Sequence, residues 1–438
     1  MTIDQIIQLL NDRQVKPLSC LQEEILRGAW DGRTYGEIAK ETHYQDAYIK
    51  NIASQLWHEL SIVWGEPIAK GNFRSRLEKR GQPGVALSSQ HFPGAPLPAN
   101  SPFYIERPPL ESSILDQLQL PGSVTTLHGP RKMGKSSLLL QVLDRLPLRL
   151  PEARIVSVDL KSADDDLLQR LGPFLKWLCR NVSRQLNLED EVEAVWDEGL
   201  GSKVNCTLYF EEYILGELKA PLILVINELN RLYSAPILQD VASLLRFWHE
   251  QSKQLPLWED LRLVIVTATK DNLPLDPNAS PFNIGLMLQI QPFNLAQTQD
   301  LGRRYDSLSE GGLGVGATQS KILLYLFGGH PYFTTLALDA LCRGVLLWED
   351  FSEVGAVCLD YFQSYFQSYF RPIRNCPEAM DLIRWVIDRP GGNHWEHPLA
   401  LELINSGLLV RYQERLAFSG DLYQKYFQTL PVLCASGR

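Results

Sequence analysis

The sequence predicts an α/β fold: a parallel sheet covered by helices, with a small helical module before it and a helix-plus-hairpin module after it. Three observations carry this prediction. Between residues 103 and 300, apolar β-branched runs alternate with helical stretches. A glycine-bearing loop joins the first of those runs to a helix. Outside this region the strand pattern disappears, except for one short hairpin near the C-terminus. The length of 438 residues leaves room for two to four domains.

Residues 1–80 read as helical. Ile3, Ile6, Ile7 and Leu10 mark one face at helical spacing. Ser19 with Gln22, and Thr34 with Glu37, have the spacing of capping boxes and predict helices over 20–29 and 35–42. Asp46 caps a third, along which Tyr48, Ile52, Leu56 and Leu60 follow at four-residue steps. Short helix, turn and longer helix make the outline of a helix-turn-helix. Residues 81–102 hold five prolines, three glycines and no charged residue. That composition favours neither helix nor strand and predicts an extended linker.

Apolar runs follow at 124–128, 153–160, 221–227 and 261–269. Their near-continuous hydrophobicity suits parallel strands buried on both faces, so 103–300 is expected to form the α/β core. Residues 301–370 lose the strand signal and are expected to form a helical lid. Within them, YFQSYFQSYF at 361–370 repeats every four residues. On a helix this aligns Tyr361, Tyr365 and Tyr369 beside Phe362, Phe366 and Phe370. Two aromatic rows packed into a core are the expectation, a binding platform the alternative. Residues 371–438 predict helices near 378–388 and 397–406, then a strand, a Gln413-Glu414 turn and a second strand, the order of a winged helix.

Composition narrows the function classes. Lys plus Arg is 42 and Asp plus Glu is 51, a net charge of −9. A chain built mainly to coat nucleic acid is basic, so any such contact here is local. No run of 18 apolar residues occurs, so no membrane-spanning helix is expected, and the N-terminus does not read as a signal peptide. The seven cysteines are scattered and form no C-x-x-C pair, which predicts reduced thiols in a cytoplasm.

The sharpest motif is Gly129-Pro130-Arg131-Lys132-Met133-Gly134-Lys135-Ser136, a full G-x-x-x-x-G-K-[ST] phosphate-binding loop between a strand and a helix. The two glycines permit a loop whose amides surround an anion, and the helix N-terminus adds the positive end of a dipole. Lys135 is placed for the β- and γ-phosphates, Ser136 for Mg²⁺ and Ser137 for the α-phosphate. A second strand, Leu222 to Ile226, ends in Asn227-Glu228. It resembles a Walker B strand whose usual Asp-Glu has become Asn-Glu. Glu228 keeps the position of a general base for the attacking water. Asn227 lacks the charge that helps to hold a Mg²⁺ shell, although its amide oxygen accepts hydrogen bonds from metal-bound water. Retained nucleotide binding with slow or absent hydrolysis is therefore expected. Thr267 or Thr269, beside the loop strand, is placed to sense the γ-phosphate, or is simply a strand former. Gly328-Gly329-His330-Pro331 reads as a turn between helices.

Together these pieces carry a family resemblance. Residues 103–370 resemble the AAA-like ATPase domain of cyanobacterial signalling proteins, in the STAND branch of P-loop NTPases, through SPFYIERPPLE (101–111), GPRKMGKSS (129–137), ILVINEL (223–229), LPLDPNASPFNIGL (273–286) and FGGHPYF (327–333). The resemblance implies a P-loop NTPase core with a helical lid, ATP or GTP with Mg²⁺ as ligand, and a nucleotide-controlled switch as the role. It places Pro331 against the base and Arg107 near base and phosphates. Asn227 departs from the family's usual Asp and leaves hydrolysis open. Residues 18–80 are similar to the N-terminal helix-turn-helix of proteins associated with von Willebrand A and MoxR partners, in bacterial conflict and signalling systems. The 371–438 segment fits the winged helix that closes STAND cores.

Three functions fit this reading: a nucleotide-dependent signalling switch, a DNA-binding regulator working through 1–80, and a scaffold whose nucleotide is a structural plug. Residues 1–80 carry 11 basic and 11 acidic residues, a net charge of zero. Lys50, Asn51 and Gln55 are the base-reading types on the third helix, and Lys70, Arg74, Arg76, Lys79 and Arg80 form a local basic patch. The expected partners are a protein effector or scaffold, DNA through 1–80 as the alternative, no membrane, and further copies of the chain in a nucleotide-dependent assembly. Arg303 and Arg304 lie on the lid side, but neither stands out as an arginine finger.

Overall fold

The computed structural model describes residues 19–42, 44–45, 48–50, 52–54, 56–57, 93–268, 284–308, 312–352, 356–389, 397–413 and 415–430. The Ile3-to-Leu10 stripe, the Asp46 cap, Asn51, Gln55, the basic residues of 70–80, Thr269 and most of 273–286 lie outside them. In chain order the main elements are α1 (Cys20–Trp30), α2 (Tyr35–Thr42), α3 (Leu110–Gln119), β1 (Val124–His128), α4 (Lys135–Arg145), β2 (Arg154–Asp159), α5 (Leu171–Leu186), α6 (Ser202–Tyr209), β3 (Leu222–Asn227), α7 (Leu238–Gln251), β4 (Leu261–Thr267) and β5 (Leu286–Gln289). They are followed by α8 (Leu295–Leu308), α9 (Ala317–Phe327), α10 (Pro331–Cys342), α11 (Ala356–Tyr369), α12 (Pro377–Asp388), α13 (Pro398–Asn405), β6 (Leu409–Tyr412), β7 (Arg415–Phe418) and α14 (Asp421–Gln428). The chain divides into two compact units. One comprises Met1–Phe92, Gly302–Ile322 and Leu336–Gln367; the other comprises Pro93–Leu301, Leu323–Thr335 and Ser368–Arg438.

In the first unit, both capping boxes form. Ser19 and Gln22 bond reciprocally at the start of α1. At the start of α2, Glu37 accepts the Thr34 amide at 2.6 Å while the Thr34 hydroxyl accepts that of Glu37 at 3.3 Å. The two helices cross where Gly28 meets Ile38, so closely that a Cβ on Gly28 would lie 2.6 Å from Ile38 Cδ1. Of the third helix's expected stripe, Leu56 is buried and Ile52 packs against the same core, Tyr48 is exposed and stacks on Tyr44, and Leu60 lies outside the described residues. Ile49, Ala53 and Trp57 are buried beside them with Ile25, Leu26 and Ile38. In the same unit, Phe362 and Phe366 are fully buried, and the Trp348 indole donates to the Leu313 carbonyl.

In the second unit, the five strands lie parallel in the order β2-β3-β4-β1-β5. β3 and β4 are buried along nearly their whole length, as expected of central strands, and β4 does lie beside β1. β2 corrects the expectation of strands buried on both faces. It is an edge strand, with Val156 and Val158 buried and its alternate residues exposed. Gln185 on α5 closes that edge by bonding both the amide and the carbonyl of Ser157 at 3.1 Å. β5 was not expected as a strand. Only four residues long, it pairs with β1 across from β4. Residues 93–102 also depart from the linker expectation. The Leu97 amide bonds Ser137, the Asn100 amide bonds Gln141, and Gln141 returns a bond to the Pro98 carbonyl, so the stretch docks along α4. Four prolines reduce the entropy lost in fixing it.

The C-terminal part follows the expected order of helix, helix and hairpin, with β6 and β7 antiparallel. It adds α14, whose Leu422, Tyr423, Tyr426 and Phe427 are buried. Phe370 inserts its ring among Tyr423, Tyr426 and Phe427 at centroid distances of 5.4–6.2 Å. Replacing it by alanine leaves a ring-sized cavity, so Phe370→Ala is expected to lower the stability of this unit by about 3–5 kcal/mol, as followed by urea denaturation.

Candidate nucleotide site

The site begins at the C-terminal end of β1, the edge of a parallel sheet where ligands bind. Gly129 carries φ +152°, and a Cβ there would strike Ile290 Cγ2 at 2.4 Å. Lys132 (φ +58°) and Gly134 (φ +92°) also occupy left-handed space. Gly134 then begins α4 with no side chain capping the first turn. Three reversals in six residues, ending on an uncapped helix N-terminus, produce a loop rich in unspent amides. Those amides and the dipole end fit a polyphosphate.

Side chains hold this loop by its carbonyls. Lys135 Nζ donates to the carbonyls of Gly129 at 2.6 Å and Pro130 at 2.7 Å. Burial pulls its amine down to about 8, with the charges of Arg131 and Lys161 adding to the drop and Glu228 opposing it. Arg107 Nη2 donates to the Met133 carbonyl at 2.9 Å, and Nη1 donates to the Gln291 carbonyl at 2.5 Å. The guanidinium lies over the Phe293 ring at 4.4 Å, and burial lowers it to about 10. Lys132 Nζ reaches the Gly94 carbonyl at 2.6 Å and lies 5.3 Å from the Tyr332 ring centroid. Arg107 is therefore beside the loop, as expected, in the role of a clamp on its backbone. Pro130 borders Gly407.

Ser136 is exposed at the start of α4, where a hydroxyl ligand to Mg²⁺ belongs. Ser137, expected at the α-phosphate, is buried, and its oxygen accepts the Leu97 amide at 3.0 Å. Thr267 is not free to sense a phosphate. Its hydroxyl bonds Tyr233 at 2.5 Å, and the Tyr233 hydroxyl also lies 3.2 Å from the Ala268 carbonyl.

Asn227 ends β3, and Glu228 follows it, close enough for its charge to act on Lys135. The Asn227 amide donates to Ser157 Oγ at 3.0 Å. Glu228 has φ +59°, an unusual conformation for a residue with a side chain. Its carboxylate accepts Lys161 Nζ at 2.7 Å and the Asn230 amide at 3.3 Å. Burial alone would raise this carboxyl, but the bonds from Lys161 and Asn230, with the charges of Lys161 and Lys135, hold it below its ordinary value. Lys161 follows β2 on a turn that Arg231 anchors through the carbonyls of Leu160 and Ala163 at 3.1 Å and through Asp165. The sequence reading missed Lys161. Its position two residues beyond the end of a parallel strand was the available signal.

His330 and Pro331 stand on the other side of the loop. Both are buried, and Pro331 starts α10. The turn packs tightly: the Phe293 amide donates to the Gly329 carbonyl at 2.8 Å, and a Cβ on Gly329 would lie 2.1 Å from the Phe293 carbonyl oxygen. This turn therefore leans on the segment that carries Phe293 beneath Arg107. Burial, aided by the charges of Arg107 and Lys135, lowers His330 to about 3 and keeps the ring neutral. Tyr369, the last member of the aromatic repeat, lies against His330 and was not singled out from sequence. Among the described residues, no group of three metal-ligating side chains occurs, and no helix is long and apolar enough to cross a membrane.

Comparison with known proteins agrees with this geometry. Residues 92–429 match the family described as AAA-like domain, and residues 1–80 match the N-terminal helix-turn-helix of vWA-MoxR associated proteins. A Walker-type ATPase of Pyrococcus abyssi superposes with a TM-score of 0.53 at 15% identity, covering 76% of this chain and 98% of its own. The Aeropyrum pernix ORC2 protein, solved with ADPNP and ADP, gives 0.48 at 14% identity over 75% and 97%. None of the curated proteins matches the chain.

The lowered Lys135 sets a pH dependence. A bound polyphosphate favours the charged amine and raises its pKa. Above about pH 8 the complex therefore holds a proton that the free protein lacks, and affinity falls as pH rises. Calorimetry in buffers of different ionisation enthalpy is expected to show proton uptake on ATP binding at about pH 9 and little at about pH 6.5.

Proposed function

We propose that this chain, which belongs to the AAA-like domain family, is a nucleotide-binding switch that takes ATP or GTP with Mg²⁺ and hydrolyses it slowly or not at all. The observation that carries the reading is the pairing of an intact phosphate loop with a restrained base: Glu228 is bonded to Lys161 at 2.7 Å. A general base must reach the water it deprotonates, and a carboxylate held low by a lysine is a weak acceptor.

In this reading the loop amides and Lys135 bind the phosphates. Ser136 and the Asn227 amide oxygen would hold the metal and its water shell. A bound Mg²⁺ would neutralise charge on the phosphates. Asn227 contributes no negative charge, which weakens that shell relative to aspartate. Pro331 borders the base, and Arg107 keeps the loop in its binding shape. The part-by-part ties between the loop and the C-terminal helices support a conformational output, which we assign to the STAND type of switch with a winged helix as its moving module. The N-terminal helix-turn-helix then serves as a docking module for a protein effector, because residues 1–80 carry no net charge.

Three substitutions test this function. Lys135→Ala is expected to abolish ATP binding in calorimetry on folded protein. Asn227→Asp is expected to raise phosphate release at least tenfold by restoring metal charge. Lys161→Met is expected to raise it severalfold by freeing Glu228, with affinity little changed. A flat wild-type titration with ATP and with GTP would overturn the switch, and unchanged turnover in Asn227→Asp and Lys161→Met would overturn the account of its slowness.

A further inference from the structure

The Tyr369 hydroxyl faces three groups from three parts of the chain. His330 Nε2 lies at 3.0 Å, the carbonyl of Arg131 in the phosphate loop at 3.1 Å, and the carbonyl of Ser406 at the end of α13 at 3.3 Å. A phenol has one proton to donate. With Nε2 protonated, the imidazole donates to the phenol oxygen, and the phenol proton is left for a carbonyl. His330 Nδ1 is buried without a hydrogen-bond partner, which agrees with that tautomer. Two carbonyls then compete for one proton.

We infer that Tyr369 is a positioning residue that couples the phosphate loop to the C-terminal helix-and-hairpin module by sharing its hydroxyl proton between Arg131 and Ser406. The inference rests on the nucleotide-switch reading and adds the route by which the loop's state reaches the module. The argument from the loop is geometric. In a trans peptide the C=O and the following N–H point in opposite directions. Holding the Arg131 carbonyl at Tyr369 therefore aims the Lys132 amide away from Tyr369, just as Arg107 does for the Gly134 amide through the Met133 carbonyl. Lys132 occupies left-handed space, so this peptide has few other ways to be held. The argument from the module concerns satisfaction. Ser406 caps the C-terminus of α13, where carbonyls lack helical partners, and Tyr369 supplies a donor. Gly407 beside Pro130 puts the two acceptors in one neighbourhood. Bound nucleotide favours the peptide orientation that the Tyr369–Arg131 bond holds, so Tyr369 closes on Arg131 and releases Ser406.

The test uses the full chain, MgATP and MgADP, calorimetry, and amide hydrogen exchange of the loop (129–137) and of 398–413. In wild type, nucleotide is expected to change protection in both segments. Tyr369→Phe is expected to bind three- to tenfold more weakly and to keep the loop response while losing the response of 398–413. Without nucleotide, Tyr369→Phe should also speed exchange of the hydrogen-bonded Ser406, Gly407 and Leu408 amides severalfold, a readout that survives if the chain binds no nucleotide and the switch reading alone fails. Should Tyr369→Phe not fold, His330→Gln, which keeps a donor for the phenol oxygen, is expected to preserve the relay, and His330→Leu to lose it. Wild-type affinity, 406–408 exchange and 398–413 response in Tyr369→Phe, or equal behaviour of His330→Gln and His330→Leu, would overturn the inference.

Discussion

A phosphate-binding loop must keep its amides unspent, and so it cannot stabilise itself by the ladders that stabilise helices and sheets. Here, three of the six backbone positions from Gly129 to Gly134 lie at positive φ. The loop is instead held by its other polar group, the carbonyl. Lys135 takes those of Gly129 and Pro130, Tyr369 that of Arg131, and Arg107 that of Met133. Each clamp fixes a peptide plane without using the amide on its far side. The surrounding structure then has a physical purpose: α3 and the docked 93–102 segment, the Phe293 segment, the Gly329 turn and the C-terminal helices each bring or brace one of these clamps.

The same economy of donors shapes the catalytic side. Arg107 is buried without a carboxylate bonded to its guanidinium, its donors going to carbonyls and its face to an aromatic ring. Glu228, in contrast, is paired with Lys161. Lys161 sits on a turn that Arg231 ties down through two carbonyls and Asp165, and Glu228 takes a second bond from Asn230. In the proposed switch, asparagine at 227 and the restraint of Glu228 act on different parts of the reaction, one on the metal and one on the water, in the same direction.

The aromatic repeat shows how one pattern serves two purposes. The phenylalanine row is core: Phe362, Phe366 and Phe370 are buried. The tyrosine row is half-buried, and its last member meets the phosphate loop. A core row and a polar row on adjacent stripes let one helix both pack and place a hydroxyl.

What the sequence alone determined was local. The phosphate loop, both capping boxes, the four longer strands of the core and the C-terminal hairpin follow from residue types a few positions apart, because φ preferences, caps and apolar runs act over one or two turns. It also marked Asn227 and Glu228 at the end of the third core strand. Tertiary structure decided the rest. It made β2 an edge strand, added the short β5, docked residues 93–102 on α4, and bonded Ser137 to Leu97 and Thr267 to Tyr233. It also joined Lys161 to Glu228 across 67 positions and Tyr369 to Arg131 across 238. Such contacts depend on strand order and helix packing, and neither leaves a trace in the spacing of neighbouring residues.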